Sequence, residues 1–92
     1  MIEPKFSDFR ARVRRSFERQ AVMRTIGAEL TRIEQGMVEI ELGFDEGLTQ
    51  QHGILHAGII STALETASTY AGYSVLDPEA GLLTIEFKVN LL

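Results

Sequence analysis

A single formally charged side chain, Glu65, lies between Glu46 and Asp77, in a stretch made of Ala, Ile, Leu, Gly, Ser, Thr and Tyr. The composition and spacing of this stretch predict a buried helix. Placing a carboxylate in an apolar helix is costly unless the group is hydrogen-bonded. Proteins often tolerate such a group where it performs acid–base or nucleophilic chemistry. Glu65 is therefore the first candidate for a catalytic residue.

The residues before this helix add amide, imidazole and glycine groups, in the order Thr49-Gln50-Gln51-His52-Gly53-Ile54-Leu55-His56-Ala57-Gly58. At about 100° per residue, one meridian of the helix collects small and polar residues: Gly58, Ser61, Thr62, Glu65, Ser68, Thr69 and Gly72. A stripe of this kind can face a ligand or another chain. We interpret the loop and the helix together as an active site. The alternative is structural, with Glu65 bonded to Ser61 or Thr69 in a helix–helix contact.

The length and composition limit what this site belongs to. A chain of 92 residues with 45% hydrophobic residues fits one small globular domain. The absence of Cys excludes disulfides and thiolate metal sites. The first residues, Met1-Ile2-Glu3-Pro4-Lys5, lack the charged-then-apolar pattern of an export signal. We therefore predict a cytoplasmic protein without a metal.

Charge is unevenly divided along the chain. Residues 1–32 carry eight of the nine Lys and Arg against four acids, a balance of +4, whereas residues 33–92 carry −8. A basic segment can bind phosphate. However, Phe6, Phe9, Val13 and Phe17 recur at helical spacing, and most arginines fall on the other faces of the same helix. The favoured interpretation is an amphipathic helix with a solvated basic face and no nucleic-acid partner.

The remaining chain predicts a hairpin, a long helix and a further strand. Alternating residues predict strands over residues 26–33 and 37–44, a helix over 55–75 and a strand over 83–91. The chain stops inside that last strand, which leaves a sheet edge open. We expect either a fragment of a larger domain, which we favour, or a partner that completes the sheet. A membrane span is disfavoured because Glu65 lies at its centre among many Ser, Thr and Gly.

The motif residues resemble those of the hotdog-fold acyl-CoA thioesterases, particularly the phenylacetate-pathway and 4-hydroxybenzoyl-CoA types. The signature of that family has Asn or Gln six residues before His-Gly-Gly, and an acid seven residues after the second glycine. Gln50, His56 and Glu65 are in register with this signature. Ala57 stands in place of the first glycine and adds a methyl group where the family brings backbone close to the thioester.

The resemblance implies an α+β hotdog fold, in which a curved antiparallel sheet wraps around one long central helix. This domain is expected over residues 23–92, after an extra amphipathic basic helix over residues 1–22. The C-terminal strands of the family are absent from this sequence, and with them part of the acyl pocket and of the coenzyme A contacts. Within the chain, only the N-terminal arginines or Lys88 offer cations to the coenzyme A phosphates.

The resemblance also implies a reaction, the hydrolysis of an acyl-CoA thioester to a free acid and coenzyme A. Coenzyme A is then part of the substrate, and no cofactor is needed. The backbone N–H groups of Ala57 and Gly58, at a helix N-terminus, are expected to stabilise the developing oxyanion. Glu65 acts as a general base on water or as a nucleophile that forms a mixed anhydride, and the sequence leaves both open.

Three further residues complete the expected site. Gln50 orients the attacking water or the thioester, and Thr69 holds the carboxylate of Glu65 or the water. His56 lies about 180° from Glu65 around the helix, so it caps the helix or braces the loop rather than abstracting a proton. The expected partners are an acyl-CoA molecule and further copies of the chain, as a homodimer or homotetramer in which each site draws on two chains.

Two other function classes stay open. A hotdog-fold dehydratase or hydratase would use a His and an acid, for which His52 and Glu65 are available. The Pro-rich pattern that flanks those sites is missing. A non-catalytic hotdog subunit would bind acyl-CoA or act only structurally and keep the helix without catalysing hydrolysis, and Ala57 and the missing half keep that alternative open.

Overall fold

The computed structural model of the chain describes residues 8–77 of the 92. Within this range the elements are α1 (Phe9–Glu18), α2 (Ala21–Thr25), β1 (Ala28–Glu34), β2 (Met37–Leu42), a 3-10 turn (Glu46–Leu48) and α3 (Ala57–Tyr73). The two strands pair in an antiparallel sheet, and with the long helix α3 they confirm the α+β class. The strand predicted over residues 83–91 lies outside the described residues.

The predicted hairpin is confirmed. Glu34 pairs with Met37, so Gln35 and Gly36 form a two-residue turn. Gly36 has a φ of 78°, a backbone region that suits glycine and the tight turns of hairpins. The apolar residues of β2 are half-buried while the glutamates between them are exposed, which gives the hairpin one dry face.

The strands differ in extent from the predicted ranges 26–33 and 37–44. β1 begins two residues later, because Ile26 still caps α2 and Gly27 then turns the chain at a φ of 70°. β2 ends at Leu42, and Phe44 beyond it is 71% exposed. Alternation continues past both ends of the hairpin in the sequence, so the pattern alone overestimated the strands.

The predicted N-terminal helix is divided into α1 and α2. Gln20 between them has an extended backbone, with φ −84° and ψ 102°. The domain boundary predicted between residues 22 and 23 falls within α2. The apolar face of α1 is confirmed, because it joins one core cluster made of Phe9, Val13, Phe17, Met23, Ile26, Ile33 and Tyr70. α1 therefore packs as part of the same core as the hairpin and α3.

Arg12 is an exception to the predicted solvated basic face of α1. Arg12 is only 5% exposed, and its Nε donates a hydrogen bond to Asp8 Oδ1 at 3.3 Å. Its guanidinium carbon lies 5.3 Å from the centre of the Tyr73 ring. Arg12 follows Phe9 by three residues, so helical geometry places both on the buried side. The other arginines of α1 are exposed, as predicted.

α3 lies within the predicted range 55–75, but it is not buried all round. Ala63, Thr66 and Tyr70 form its buried face against the hairpin and α1. Ile60 and Leu64, on another face, are 38% and 45% exposed. Among the described residues the predicted buried helix is therefore buried on one face, because an apolar sequence indicates which residues can be covered and not how much surface the neighbouring elements cover.

Hydrogen bonds attach the C-terminal half of α3 to both neighbours. The hydroxyl of Tyr70 lies 2.9 Å from Ser16 Oγ and accepts a bond from Gln20 Nε2 at 2.8 Å, both on the α1 side. The N–H of Gly36 in the hairpin turn donates to Ser74 Oγ at 2.8 Å. These contacts fix the rotation of α3 about its axis, and thus the direction in which Glu65 projects.

Candidate active site

The polar loop before α3 is a small, internally bonded turn. Thr49 and Leu55 form an antiparallel bridge, and the N–H of Gln50 donates to the Ile54 carbonyl at 2.9 Å. Gly53, at a φ of 79°, closes the turn by donating to the Gln50 carbonyl at 3.0 Å. The N–H of His56 then donates to the Leu48 carbonyl at 2.9 Å. The loop therefore holds His56 in a fixed position at the start of α3.

Gln50 uses its side chain within this turn. Its Oε1 accepts the backbone N–H of His52, two residues later. Local bonds of this kind stabilise a turn. The side-chain oxygen predicted to orient water or thioester therefore also bonds within the loop, through one of its two lone pairs. His52 is exposed, and none of the contacts in residues 8–77 joins it to Glu65, the pair that a dehydratase would need.

The predicted capping role of His56 is confirmed. Its Nδ1 accepts the N–H of Gly58 at 2.8 Å, and its carbonyl accepts the N–H groups of Ile59 and Ile60. One of the two N–H groups expected at the oxyanion site is thus engaged. The other, that of Ala57, has no hydrogen-bond acceptor among residues 8–77. Ala57 is the first residue of α3 and exposed, so this donor points out of the helix end.

Glu65 and Thr69 lie together on the predicted polar stripe of α3. Both are half-buried, and Thr69 Oγ1 donates to Glu65 Oε1 at 2.8 Å. A hydroxyl one turn along the helix holds the carboxylate in one orientation, which suits either a general base or a nucleophile. The same bond also fits the structural alternative. The geometry therefore supports a positioned carboxylate without assigning its role.

Distance separates the two parts of the site within one chain. Ala57 and Glu65 are eight residues apart on one helix, a separation of about 12 Å along its axis. An oxyanion donor lies about 3 Å from the carbonyl oxygen, and a reacting atom about 3 Å from the carbonyl carbon. With one water between base and carbonyl, these contacts span roughly 10 Å, and the Glu65 side chain covers part of the axial distance as well, because helical side chains tilt toward the helix N-terminus. The axial separation by itself does not decide between a site within one chain and a site shared by two chains.

An apolar cleft of about 360 Å³ lies elsewhere, between β2 and α3. Around the helix, its α3 residues face away from the stripe of Glu65: Leu64 is about 100° from Glu65 and Ile60 about 140°. The cleft is lined by Val38, Glu39, Ile40, Leu42, Ile60, Ala63, Leu64 and Ala67. It is therefore not part of the candidate site of the same chain.

The described residues offer no arrangement for a metal, because no three His, Asp or Glu side chains in residues 8–77 group together. None of the helices in that range has the length and hydropathy needed to cross a bilayer.

Sequence reasoning missed two residues that hold α3 in place, Tyr70 and Arg12. Ser16 and Gln20 are spaced four apart on the side of the chain that meets the Tyr70 hydroxyl. Arg12 follows the buried Phe9 by three residues, a spacing that places two residues on the same face of a helix. Both signals are present in the sequence, but each depends on knowing which face of α1 meets α3.

The known proteins that this chain resembles are described as a thioesterase or as esterases. No protein-family model matches the chain. The crystal structure of a thioesterase family protein from Silicibacter pomeroyi is 51% identical, with a TM-score of 0.89, over 91% of this chain and 62% of that one.

Two curated relatives are each named "putative esterase". One from Saccharolobus solfataricus is 33% identical over 82% of this chain and 49% of its own length. One from Sulfurisphaera tokodaii is 33% identical over 82% of this chain and 55% of its own length. The chain spans about half the length of these curated relatives. In sequence and in backbone it is thus similar to proteins described as a thioesterase and as esterases.

Proposed function

We propose that this chain forms part of a hotdog-fold thioesterase, which hydrolyses an acyl-CoA thioester to a free acid and coenzyme A. The observation that carries this proposal is the Glu65 carboxylate, held by Thr69 at 2.8 Å on the polar stripe of α3. The 51% identity to a thioesterase family protein supports it. Because the chain covers only 62% of that protein, we assign the remaining strands and the coenzyme A contacts to parts outside it.

Glu65 supplies the chemistry in one of two ways. As a general base it removes a proton from water while the water oxygen bonds to the thioester carbonyl carbon. As a nucleophile its carboxylate oxygen bonds to that carbon and forms a mixed anhydride, which water then cleaves. In both cases the carbonyl electrons move to oxygen and return as the carbon–sulfur bond breaks, and the thiolate leaves and takes up a proton. Thr69 holds the carboxylate oxygen that is not reacting.

The start of α3 stabilises the oxyanion in this proposal. The N–H of Ala57 is available and lies at the positive end of the helix dipole. The N–H of Gly58 is bonded to His56, so Ala57 supplies the principal donor. One preorganised donor of this kind contributes about a hundredfold to a thousandfold to the rate. Gln50 shapes the adjoining turn by accepting the His52 N–H, and its second lone pair and its NH₂ group serve to orient the water or the thioester.

Each site combines two chains. In this proposal the Ala57 N–H of one chain and the Glu65 carboxylate of the other, which are about 12 Å apart along the axis of α3 within one chain, act on one carbonyl. A second copy related by two-fold symmetry, the commonest arrangement of homo-oligomers, brings the α3 start of one chain to the Glu65 stripe of the other. We therefore propose a homodimer, or a homotetramer built from such dimers, as the active assembly.

The test is the release of free thiol from a panel of aryl and fatty acyl-CoA thioesters. Glu65→Gln should lose on the order of a hundredfold or more in kcat, while the amide oxygen still accepts the Thr69 hydroxyl and keeps the fold. Glu18→Gln, which removes an exposed carboxylate on α1, is the matched control and should retain the wild-type rate. Equal rates for the wild type and Glu65→Gln would exclude a catalytic Glu65.

A second outcome is informative, because Ala57 replaces a glycine of the family signature. If the wild type binds acyl-CoA, measured by calorimetry, and releases no thiol from any member of the panel, the protein is an acyl-CoA-binding subunit and not an enzyme.

A further inference from the structure

Positive charge is concentrated on the exposed side of α1. Within residues 8–77 every Lys and Arg precedes position 33. Arg14, Arg15 and Arg19 are exposed and make no ion pair in that range. Helix geometry places all three on the side opposite the apolar face, with Glu18 among them. We call these three residues the basic face of α1, which keeps an excess of two positive charges over Glu18.

Negative charge is concentrated on the solvent side of the hairpin. Glu29 and Glu41 are directly opposite each other in the strand register. Glu39 precedes Glu41 by two residues and therefore shares its side of the sheet. All three are exposed, and none forms an ion pair within residues 8–77. Arg32 lies opposite Glu39 in the register, but its Nε lies 3.9 Å from Glu34 instead. We call the three glutamates the acidic face.

A groove at the end of the acidic face is open to a long cationic side chain. It has a volume of about 280 Å³ and is lined by Gly27, Glu29, Glu41, Leu42 and Gly43. A Cβ added at Gly27 or Gly43 would meet no atom within 4 Å, so the space above both glycines is open. Like charges directly opposite each other destabilise a sheet. A guanidinium between Glu29 and Glu41 would relieve this repulsion and form charge-assisted hydrogen bonds.

We propose that the basic face of α1 in one copy of the chain packs on the acidic face of the hairpin in a second copy, with an arginine in the groove between Glu29 and Glu41. The two faces match in sign and in number, with three arginines and three carboxylates. They make no ion pair with each other within one chain.

Two-fold symmetry closes this pair. Each copy carries both faces, so a two-fold axis forms the contact twice and leaves neither face open. The net charge of −4 repels two copies at long range, but electrostatic complementarity acts at the contact itself. This interface uses α1 and the hairpin, whereas the pairing in the proposed function uses α3. It therefore goes beyond that proposal and does not depend on it.

The first test is the mass of the assembly at micromolar concentration, measured by analytical ultracentrifugation on the whole chain. The Debye length falls from about 30 Å at about 0.01 M ionic strength to about 3 Å at about 1 M. The mass at low ionic strength should therefore be twice the mass at high ionic strength, whether or not α3 also pairs the chains. The same mass in both conditions would overturn the proposal.

The second test removes one carboxylate from the groove. Glu41→Gln should raise the Kd of the salt-sensitive step by about tenfold or more, because a two-fold pair loses the contact twice. It should not unfold the hairpin, because it also removes the repulsion from Glu29. Glu46→Gln, which removes an exposed carboxylate outside the groove, is the matched control and should keep the wild-type Kd. Equal Kd values for the two variants would refute the role of the groove.

The third test reverses the charges and restores the contact between two different variants. Arg14→Glu/Arg15→Glu protein and Glu29→Lys/Glu41→Lys protein should each lose the salt-sensitive step, because like charges then meet in both contacts of a pair. Mixed at low ionic strength they should associate, since both contacts of a mixed pair join opposite charges. Circular dichroism checks that each variant is folded. Folded variants that do not associate when mixed would refute the proposal. No step of these tests requires hydrolysis, so a protein that releases no thiol would refute the proposed function alone.

Discussion

Proline at position 57 removes one hydrogen-bond donor from the proposed site and changes little else. Ala57 is the first residue of α3, the helix position that best accommodates proline, because no intrahelical bond is lost there. His56 before it already has the extended backbone that a following proline requires, with φ −63° and ψ 133°. The deleted N–H has no acceptor among residues 8–77, so no described contact breaks.

These observations fix the expected magnitudes. The free energy of unfolding of Ala57→Pro should stay the same or rise by about 0.4–1 kcal/mol, because proline restricts the unfolded chain. The kcat for thioester hydrolysis should fall about a hundredfold to a thousandfold, the loss that follows removal of one oxyanion donor, or about 2.7–4 kcal/mol of transition-state stabilisation. Stability and activity should therefore move independently.

The assay compares wild type, Ala57→Pro and Ala57→Gly in thermal unfolding followed by circular dichroism and in thiol release from acyl-CoA. Ala57→Gly keeps the N–H and removes a methyl group, so it should keep or raise kcat, at a cost in stability of up to about 1 kcal/mol. A folded Ala57→Pro protein with the kcat of the wild type would refute the assignment of the oxyanion donor to the start of α3.

Tyr70→Phe should lower the free energy of unfolding by about 1–2 kcal/mol, since it removes both bonds of the buried hydroxyl to Ser16 and Gln20. In a domain of this size that corresponds to a fall in Tm of roughly 4–16 °C. The matched change Tyr73→Phe, on the same helix and without a hydroxyl bond in the described part of the chain, should stay within about 0.5 kcal/mol; equal losses would contradict the role of the hydroxyl. An equal mixture of Ala57→Pro and Glu65→Gln proteins, unfolded and refolded together, should recover about a quarter of the wild-type activity if two-fold dimers share their sites. A mixture no more active than its components would refute the shared site.

Local patterns in the sequence account for much of the fold. The turn at Gly36, the alternation along β2 and the apolar face of α1 depend on residues at most a few positions apart, so each is visible in a short window. The cap of α3 belongs to the same class, because His56 and Gly58 are two residues apart. The separation of Ala57 from Glu65 along α3 also follows from helix geometry. It is relevant to a shared site only because the proposed reaction needs both the Ala57 N–H and the Glu65 carboxylate.

A short separation along the chain does not always make a contact predictable. The turn around Gln50 shows this on a small scale, since a glutamine that suits the family signature uses its oxygen to bond His52. The sequence motif predicted only that this oxygen orients the water or the thioester, and the bond to the His52 N–H was not predicted, since the energies of two such bonds are too similar to choose between them without coordinates.

The sequence by itself determined the single carboxylate at position 65, the polar stripe around it and the helix and hairpin that carry them, because periodicity follows from backbone geometry. Only the tertiary structure decided that Arg12 is buried beside Tyr73, that Tyr70 bonds to α1, and that Ile60 and Leu64 remain exposed. Arg12 and Tyr73, like Ser16 and Tyr70, are more than 50 residues apart. Which side chains meet over such separations depends on how whole elements pack, and helical or strand periodicity carries no information about that choice.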